Sequence, residues 1–255
     1  METTKKPLFI AFSSQKGGVG KSTFTALIAS TLYYRMGYNV AVLDCDYPQH
    51  SLLKMRERDL NTVRENESFK KMAHKQFMTI NKKAYTIAQC KAETALSVAE
   101  DLIKSSTVPL EVIFFDLPGT VNSSGILQTL MGMDYIFSPI TADRVVVEST
   151  LSFTQALTDI IPKIGNSNIK GIRLFWNQVD RREKSHLYDL YGKFITDMGF
   201  SLMKTYITDS KRFRKEGEAM EKTAFRSSLL PPDPKLMTAC HLDLFVQEFL
   251  RTVEL

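Results

Sequence analysis

The feature that most constrains the fold is a glycine-rich segment close to the N-terminus, Lys16-Gly17-Gly18-Val19-Gly20-Lys21-Ser22-Thr23. It follows an apolar run at 8–12 that reads as a buried strand, and it precedes a stretch at 22–36 with apolar residues at helical spacing. Gly37 then provides a C-terminal cap for that helix. A strand, a glycine loop and a helix in this order predict a phosphate-binding loop at the edge of a parallel α/β sheet.

Each residue type in the loop suits phosphate chemistry. Glycines at 17, 18 and 20 let the backbone around Val19 turn its N–H groups towards phosphate oxygens, and the following helix adds the positive end of its dipole. Lys21 offers a point charge to β and γ phosphates, Ser22 a hydroxyl to Mg²⁺, and Thr23 a hydroxyl to a phosphate nearer the sugar. An unoccupied glycine turn would not explain these residues. The loop predicts ATP and Mg²⁺ as cofactors.

Strands and helices alternate along most of the chain. Two short apolar strands, at 39–43 and 112–115, each end at a carboxylate, Asp44 and Asp116 respectively. Ligands bind at this edge of open α/β sheets. Further strands are predicted at 135–139, 172–176 and 202–207, and further helices at 143–161, 183–198 and 236–253. The pattern predicts one domain over 1–255 with the P-loop NTPase fold, a doubly wound, mainly parallel sheet flanked by helices.

The region 54–106 interrupts this alternation. Between Lys54 and Lys83 there are nine Lys/Arg against four Asp/Glu, a surplus equal to the net charge of +5 of the whole chain. We predict a basic, helical excursion from the sheet. Its charge could attract a polyanion, or it could simply be a solvated helix face.

Composition limits the class of protein. No apolar run approaches the roughly 20 residues of a membrane span, so stable membrane insertion is not expected. The three cysteines, Cys45, Cys90 and Cys240, are far apart in the sequence and indicate neither a disulfide nor a zinc site. We expect a cytoplasmic protein.

The loop departs from the general P-loop pattern in an informative way. Gln15 occupies the position of an early glycine, and Lys16 follows it. This arrangement resembles the deviant Walker A loop of the ParA/MinD family of ATPases. The resemblance implies a homodimer formed with ATP, in which Lys16 reaches the partner's nucleotide and acts as a catalytic residue beside Lys21. The alternative is that Lys16 neutralises phosphates in its own chain.

Two further segments match the family in the expected order. The stretch Leu43-Asp44-Cys45-Asp46 resembles switch I, which implies that Asp46 positions the attacking water and that Asp44 is a Mg²⁺-side or switch residue. Here Tyr47 is inserted before Pro48, a departure from the usual Asp-Pro-Gln. The strand ending at Asp116 resembles the Walker B strand, so Asp116 is implied in holding a Mg²⁺-bound water. Two solvent-facing aspartates in a turn are the alternative reading of switch I.

One polar residue follows a later strand. Asn177 is implied by the resemblance to read the adenine edge, although asparagine is also an ordinary turn residue. The residues 231–233 could line the base pocket, but prolines are common in loops and this reading is not favoured.

The family includes proteins that partition DNA, place division sites, donate electrons or direct conjugative transfer. Partition ATPases bind DNA nonspecifically as ATP dimers, hydrolyse ATP slowly and respond to an activating partner protein. The switch I variant and the chain length are also similar to the ParA-like TraA proteins of conjugative transposons. The DNA-binding hypothesis places the protein on the nucleoid, with candidate contacts at Lys204, Lys211, Arg212, Arg214 and Lys215.

A second set of basic residues is an alternative DNA patch, comprising Arg56, Arg58, Lys70, Lys71, Lys82 and Lys83. A different hypothesis is an ATP-dependent switch that docks a protein partner through 54–106 and binds no nucleic acid. Strongly salt-dependent DNA affinity would favour the first hypothesis.

Overall fold

The computed structural model describes residues 6–119, 124–164, 167–180, 182, 186–210 and 224–255. Seven strands form one parallel sheet in the order β3-β2-β4-β1-β5-β6-β7. The strands are β1 (Leu8–Phe12), β2 (Val40–Asp44), β3 (Thr86–Gln89), β4 (Val112–Asp116), β5 (Tyr135–Ile140), β6 (Gly171–Trp176) and β7 (Ser201–Leu202). The predicted fold class, a doubly wound parallel sheet, is confirmed.

The described helices cover both faces of this sheet. They are α1 (Lys21–Met36), α2 (Ser51–Glu65), α3 (Glu67–Ile80), α4 (Ala95–Ser105), α5 (Ser124–Met131), α6 (Arg144–Ile164), α7 (His186–Asp197), α8 (Pro234–Ala239) and α9 (Leu242–Val253). A short 3₁₀ turn, Ala92–Thr94, precedes α4. Among the described helices, none has both the length and the apolar character that a membrane crossing requires.

The alternation of side chains along β1 divides the core into two layers. Ile10 and Phe12 point to one face, where they pack with α1 and with Phe249 of α9. Phe9 and Ala11 point to the other face, towards α4, α5 and α6. All five β1 residues are buried, as expected for a central strand with helices on both sides. The strand therefore holds its C-terminal loop in a fixed position.

The region 54–106 differs from the prediction in one respect. It is largely helical, with α2, α3 and α4, but it also contains β3, which pairs with β2 in parallel from Ala41↔Thr86 to Asp44↔Gln89. The region is therefore part of the sheet and not an excursion from it. β3 was missed because its four residues, TIAQ, are short, exposed at both ends and carry little apolar periodicity.

Two other boundaries were wrong. The strand expected at 202–207 is reduced to the two residues of β7, although Met203 and Ile207 still donate backbone hydrogen bonds to β6 carbonyls. The single C-terminal helix is two helices, because His241 has a positive φ of 64° between them. One face of α9 is apolar, with Leu242, Phe245, Val246 and Phe249 buried.

Candidate nucleotide site

A cavity of about 680 Å³ lies at the carboxyl edge of the sheet. Its walls come from five parts of the chain: the glycine loop and start of α1, the segment from Asp46 into α2, Gly119 after β4, two residues after β6, and one residue before α8. They include Gly17, Gly18, Gly20, Lys21, Ser22, Thr23, Asp46, Lys54, Arg58, Gly119, Asn177, Gln178 and Arg226. The described structure thus brings most of the predicted loop residues to one cavity.

The glycine loop has the backbone geometry that glycine permits. Gly18 and Gly20 have φ values of 74° and 103°. A Cβ atom on Gly20 would lie 3.0 Å from Nδ2 of Asn177, a tight contact, and the positive φ would strain any larger residue there. Val19 is buried beneath the loop, and its carbonyl accepts a hydrogen bond from Asn177 Nδ2 at 2.9 Å. Asn177 therefore holds the loop at the buried Val19, while the glycines of the loop line the cavity.

Lys21 is the cation at the centre of the site. Its Nζ donates to the carbonyl of Lys16 at 3.1 Å. Burial lowers the pKa of the Lys21 ammonium, and the carboxylates of Asp116 and Asp46 oppose that shift. A bound phosphate would supply the negative charge that a half-buried ammonium lacks.

Asp116 is a buried carboxylate without partners. It is 0% exposed, and neither of its oxygens accepts a hydrogen bond from any described residue. Burial raises its pKa to about 7; Asp44 and Asp46 add to the rise, while the nearby Ser22 hydroxyl and Lys21 counteract it. A buried polar group left in this state is uncommon and is best accounted for by a missing ligand.

Asp44 is also fully buried, but one of its carboxylate oxygens accepts hydrogen bonds from the backbone of α2. Oδ2 accepts hydrogen bonds from the backbone N–H groups of Leu52 and Leu53, at 2.9 and 3.0 Å, and so caps α2. Oδ1 has no hydrogen bond and lies 3.7 Å from Nδ1 of His50. Asp44 and Asp116 both lie behind the cavity wall, while Ser22 and Asp46 form part of it.

These donors fit Mg²⁺ bound together with phosphates. Among the described residues, no group of three or more His, Cys, Asp or Glu side chains forms a complete metal cage. Mg²⁺ commonly uses one or two protein oxygens, several waters and the phosphates of a nucleotide. The Ser22 hydroxyl, with the unpartnered Asp116 oxygens behind it, matches that requirement.

Asp46 faces the cavity despite the insertion of Tyr47. The Tyr47 side chain is 63% exposed and does not line the cavity, whereas Asp46 does. The Asp46 carbonyl accepts a hydrogen bond from the backbone N–H of His50 at 2.8 Å. Burial raises the pKa of the Asp46 carboxyl, and Lys21 opposes the rise. The alternative of two solvent-facing aspartates is wrong, since Asp44 is buried and Asp46 half-buried.

Asn177 lies in the cavity wall and is 4% exposed. Its amide already holds the loop at Val19, and its Oδ1 accepts the backbone N–H of Gln178 at 2.8 Å. Reading of the adenine edge by Asn177 therefore stays a prediction. Asp233, from the proline segment, caps α8 through Lys235 and Leu236 and does not line the cavity.

Three cationic wall residues were not predicted as ligands. Lys54 and Arg58 come from α2, and Arg226 from the segment before α8. For Lys54 and Arg58, the sequence offered only indirect evidence of this position. A helix that begins five residues after the Asp46 carboxylate must pass beside the phosphate loop, so its residues four apart can face the same cavity.

The second set of basic residues does not form one open patch. Arg56 donates to Ser228 and to the carbonyl of Tyr85, and Arg58 pairs with Asp59 at 2.8 Å. Lys82 donates to the carbonyl of Gly37 at 2.9 Å. These charges hold the fold together, which corrects the suggestion that all six residues could form one DNA surface.

Of the first set of candidate DNA contacts, Lys204 is exposed just after β7. The other members, Lys211, Arg212, Arg214 and Lys215, lie outside the described residues.

The cysteines are closer in space than in sequence. All three thiols are free, yet Sγ of Cys45 lies 3.4 Å from Sγ of Cys90, because β2 and β3 end side by side. Cys240 is buried elsewhere, beneath the end of α8.

Comparison with solved structures shows the same fold in several proteins. The ParA protein of pNOB8, solved bound to nonspecific DNA, is 18% identical and has a TM-score of 0.60; the match covers 97% of this chain and 99% of that one. A putative plasmid partition protein of Borrelia burgdorferi bound to AMPPNP is 20% identical, with a TM-score of 0.54 and coverage of 82% and 90%.

A third structure, cobyrinic acid a,c-diamide synthase of Mycobacterium smegmatis with an ATP analogue and magnesium, is 17% identical, with a TM-score of 0.55 and coverage of 80% and 86%. No curated protein sequence matches the chain. The family described as the CobQ/CobB/MinD/ParA nucleotide binding domain matches residues 10–223. This chain is therefore a member of that ParA/MinD family of nucleotide-binding domains.

Proposed function

We propose that this protein is a Mg²⁺-dependent ATPase switch that dimerises with ATP and, as a dimer, binds DNA without sequence preference. The observation that carries the proposal is that the glycine loop and Ser22 line one cavity, with the buried carboxylate of Asp116, which accepts no hydrogen bond from the described residues, behind its wall. The cationic loop suits the triphosphate of a nucleotide, and the buried carboxylate suits a metal ion. Together they fit a metal–triphosphate complex better than a metal ion or a triphosphate alone.

The glycine loop and Lys21 would bind the phosphates. Gly17, Gly18, Gly20 and the first turn of α1 line the cavity, and Lys21 lies between the loop and Gly119. The Ser22 hydroxyl would hold Mg²⁺, with Asp116 and Asp44 behind it. When bound, Mg²⁺ neutralises charge on the transferred phosphate. Thr23, the next hydroxyl on α1, would contact a phosphate nearer the sugar.

Asp46 is proposed to orient the attacking water. It is the one acidic residue among the described residues that line the cavity. Phosphoryl transfer depends mainly on positioning and charge neutralisation, so a strong general base is unnecessary. A carboxylate that positions water without a dedicated partner is consistent with slow turnover.

Lys16 is proposed to act across a dimer interface. Gly17, Gly18 and Lys21–Thr23 all line the cavity of their own chain, whereas Lys16 does not. Its half-exposed side chain is available to a second copy that meets the carboxyl edge of the sheet. This supports the role in trans over neutralisation of phosphates in the same chain.

DNA binding is proposed from charge and from fold. The net charge is +5, Lys204 is exposed, and the fold covers nearly the whole of a ParA protein solved on nonspecific DNA. Phosphate contacts require little beyond accessible cations. On this proposal Lys204, Lys211, Arg212, Arg214 and Lys215 contact DNA. The protein acts in the cytoplasm on the nucleoid, in DNA partition or conjugative transfer, with an activating partner protein.

A second candidate function is an ATP-dependent protein-interaction switch without nucleic acid. One observation favours it: Leu190 and Phe194, four residues apart on α7, are 65% and 52% exposed. An apolar pair on one helix face suits a protein partner better than DNA. In addition, part of the basic charge on α2 is used inside the fold.

The deciding experiment measures oligomeric state by light scattering and DNA retention by filter binding. Three conditions are compared: ADP, ATP, and ATP with the Asp46→Ala variant. We expect an ATP-dependent dimer that retains DNA, and longer retention by the variant. A dimer that ignores DNA would favour the protein-interaction switch. A monomer under every condition would refute the role of Lys16.

A further inference from the structure

Arg226 lies against the phosphate loop from the opposite side of the cavity. Its Nη1 donates a hydrogen bond to Oγ1 of Thr23 at 2.9 Å, although 203 residues separate the two in sequence. Both residues line the nucleotide cavity. A guanidinium bonded to a hydroxyl in a phosphate site is placed within reach of the ligand that this hydroxyl serves.

The backbone that carries Arg226 is held by a buried carboxylate on α2. Asp59, only 3% exposed, accepts hydrogen bonds from the backbone N–H of Ser228 at 2.7 Å and from the Ser227 hydroxyl at 3.0 Å. Arg58 pairs with the same carboxylate and donates to the Arg226 carbonyl at 2.8 Å. Binding through Arg226 would therefore cost little backbone ordering.

Two of the four cations among the described residues of the cavity wall, Lys21 and Arg226, lie at separate places along the phosphate loop and α1. Lys21 lies between the loop and Gly119, near Asp46 and Asp116, while Arg226 is held at Thr23 two residues further along α1. A nucleotide whose terminal phosphates lie at Lys21 has its innermost phosphate nearer Thr23. The second cation is thus placed for the phosphate that ADP and ATP share.

We propose that Arg226 is a nucleotide-binding residue that pairs with the α-phosphate. The inference rests on the proposed function in taking an adenine nucleotide as the ligand. Because the α-phosphate is unchanged by hydrolysis, Arg226 binds ATP and ADP equally. It holds the nucleotide during turnover, whereas Lys21 and Asp46 serve the phosphates that change.

The test measures binding of ADP and of the non-hydrolysable analogue AMPPNP by isothermal titration calorimetry. Arg226→Met keeps the apolar stem and removes the charge, and Arg226→Lys keeps the charge without the planar fork. A charge-assisted hydrogen bond predicts that Arg226→Met weakens both ligands by about 10-fold or more, and Arg226→Lys by less. Arg251→Met, an exposed arginine on α9, should bind as the wild type does.

A second readout assigns the contact to the α-phosphate. The two diastereomers of ADP with sulfur on the α-phosphate place sulfur on different sides, and a guanidinium distinguishes them. We expect the wild type to prefer one diastereomer several-fold and Arg226→Met to lose the preference. Weakened binding with the preference intact would place Arg226 at the sugar or base and overturn the inference.

Other outcomes are equally decisive. Weaker AMPPNP binding with normal ADP binding would move Arg226 to the γ-phosphate. Unchanged binding of both would leave it a structural partner of Thr23. A thermal midpoint measured without nucleotide identifies a variant that misfolds, and Arg226→Lys then carries the test. If the wild type binds neither nucleotide, the proposed function fails as a whole; if only the Arg226 effects are missing, this inference fails alone.

Discussion

Two buried aspartates on either side of the nucleotide cavity have opposite surroundings. Asp59 on α2 accepts hydrogen bonds from Arg58, Ser227 and Ser228, so its charge is fully compensated. Asp116 at the end of β4 is equally buried and has no hydrogen-bond partner among the described residues. Burial alone therefore does not determine how well a carboxylate is stabilised. The two aspartates differ in the number of hydrogen-bond donors around the carboxylate.

The largest effect should come from removing the compensated carboxylate. Asp59→Ala leaves Arg58 and the serine donors without their acceptor, and breaking a buried charged network of this kind costs about 3–5 kcal/mol. Urea unfolding followed by circular dichroism measures the change. Glu57→Ala, an exposed acid two residues away on α2, is the matched control and should stay within about 0.5 kcal/mol. Similar losses for both variants would contradict the comparison.

Removal of the uncompensated carboxylate should instead affect activity. Asp116→Asn eliminates a buried charge that the nearby Ser22 hydroxyl and Lys21 offset only in part, so stability at pH 7.5 should be unchanged or higher. If Asp116 orients a magnesium-bound water, ATP turnover should fall about 10- to 100-fold. Phosphate release and urea unfolding measure the two quantities on one preparation. Full turnover in a stable variant would show that Asp116 is needed neither for ATP hydrolysis nor for the stability of the fold.

The pH dependence of stability tests the same contrast. The Asp116 pKa is raised from 3.8 to about 7, so the folded protein holds this proton more tightly than the unfolded chain. The resulting stabilisation is complete below about pH 4 and is lost as the pH rises through 7. Relative to Asp116→Asn, the wild type should lose about 2 kcal/mol between pH 5.5 and 7.5. Parallel pH profiles for the two proteins would show that Asp116 is ionised throughout.

The smallest effect should come from a single donor to Asp59. Ser228→Ala removes one hydroxyl from the network and leaves the backbone donor in place, so unfolding should become easier by about 1 kcal/mol. Ser152→Ala, an exposed serine on α6, should change stability by less than half of that. A Ser228→Ala loss as large as that of Asp59→Ala would mean that the hydroxyl, and not the carboxylate, organises the network.

Local patterns predicted the central part of the molecule well. The glycine loop was recognisable by its residue types, β1 and the strands ending at Asp44 and Asp116 by a continuous apolar run, and α1 by apolar residues at helical spacing. These are also the elements that position the cavity. The predicted order of strands and helices therefore placed most loop residues correctly.

The remainder depended on contacts between distant segments. β3 is too short to have a pattern of its own and becomes a strand through pairing with β2. Arg226 joins the cavity because Asp59, far away in sequence, holds the segment that follows it. Arg56 and Arg58 looked like a solvated face because their acceptors lie near residue 228. Sequence periodicity contains no information on such partners.

The lengths of the two edge strands have a consequence for how copies of this chain can meet. β3 has four residues and β7 has two, so each edge offers another chain only a few unpaired backbone groups. Joining of sheets edge to edge, a common route to unwanted aggregation, is correspondingly weak. Assembly is left to side chains and loops. A contact between copies that uses side chains and loops can form when the ligand binds and separate when it leaves. Backbone hydrogen bonds between two sheet edges would not be as easily reversed.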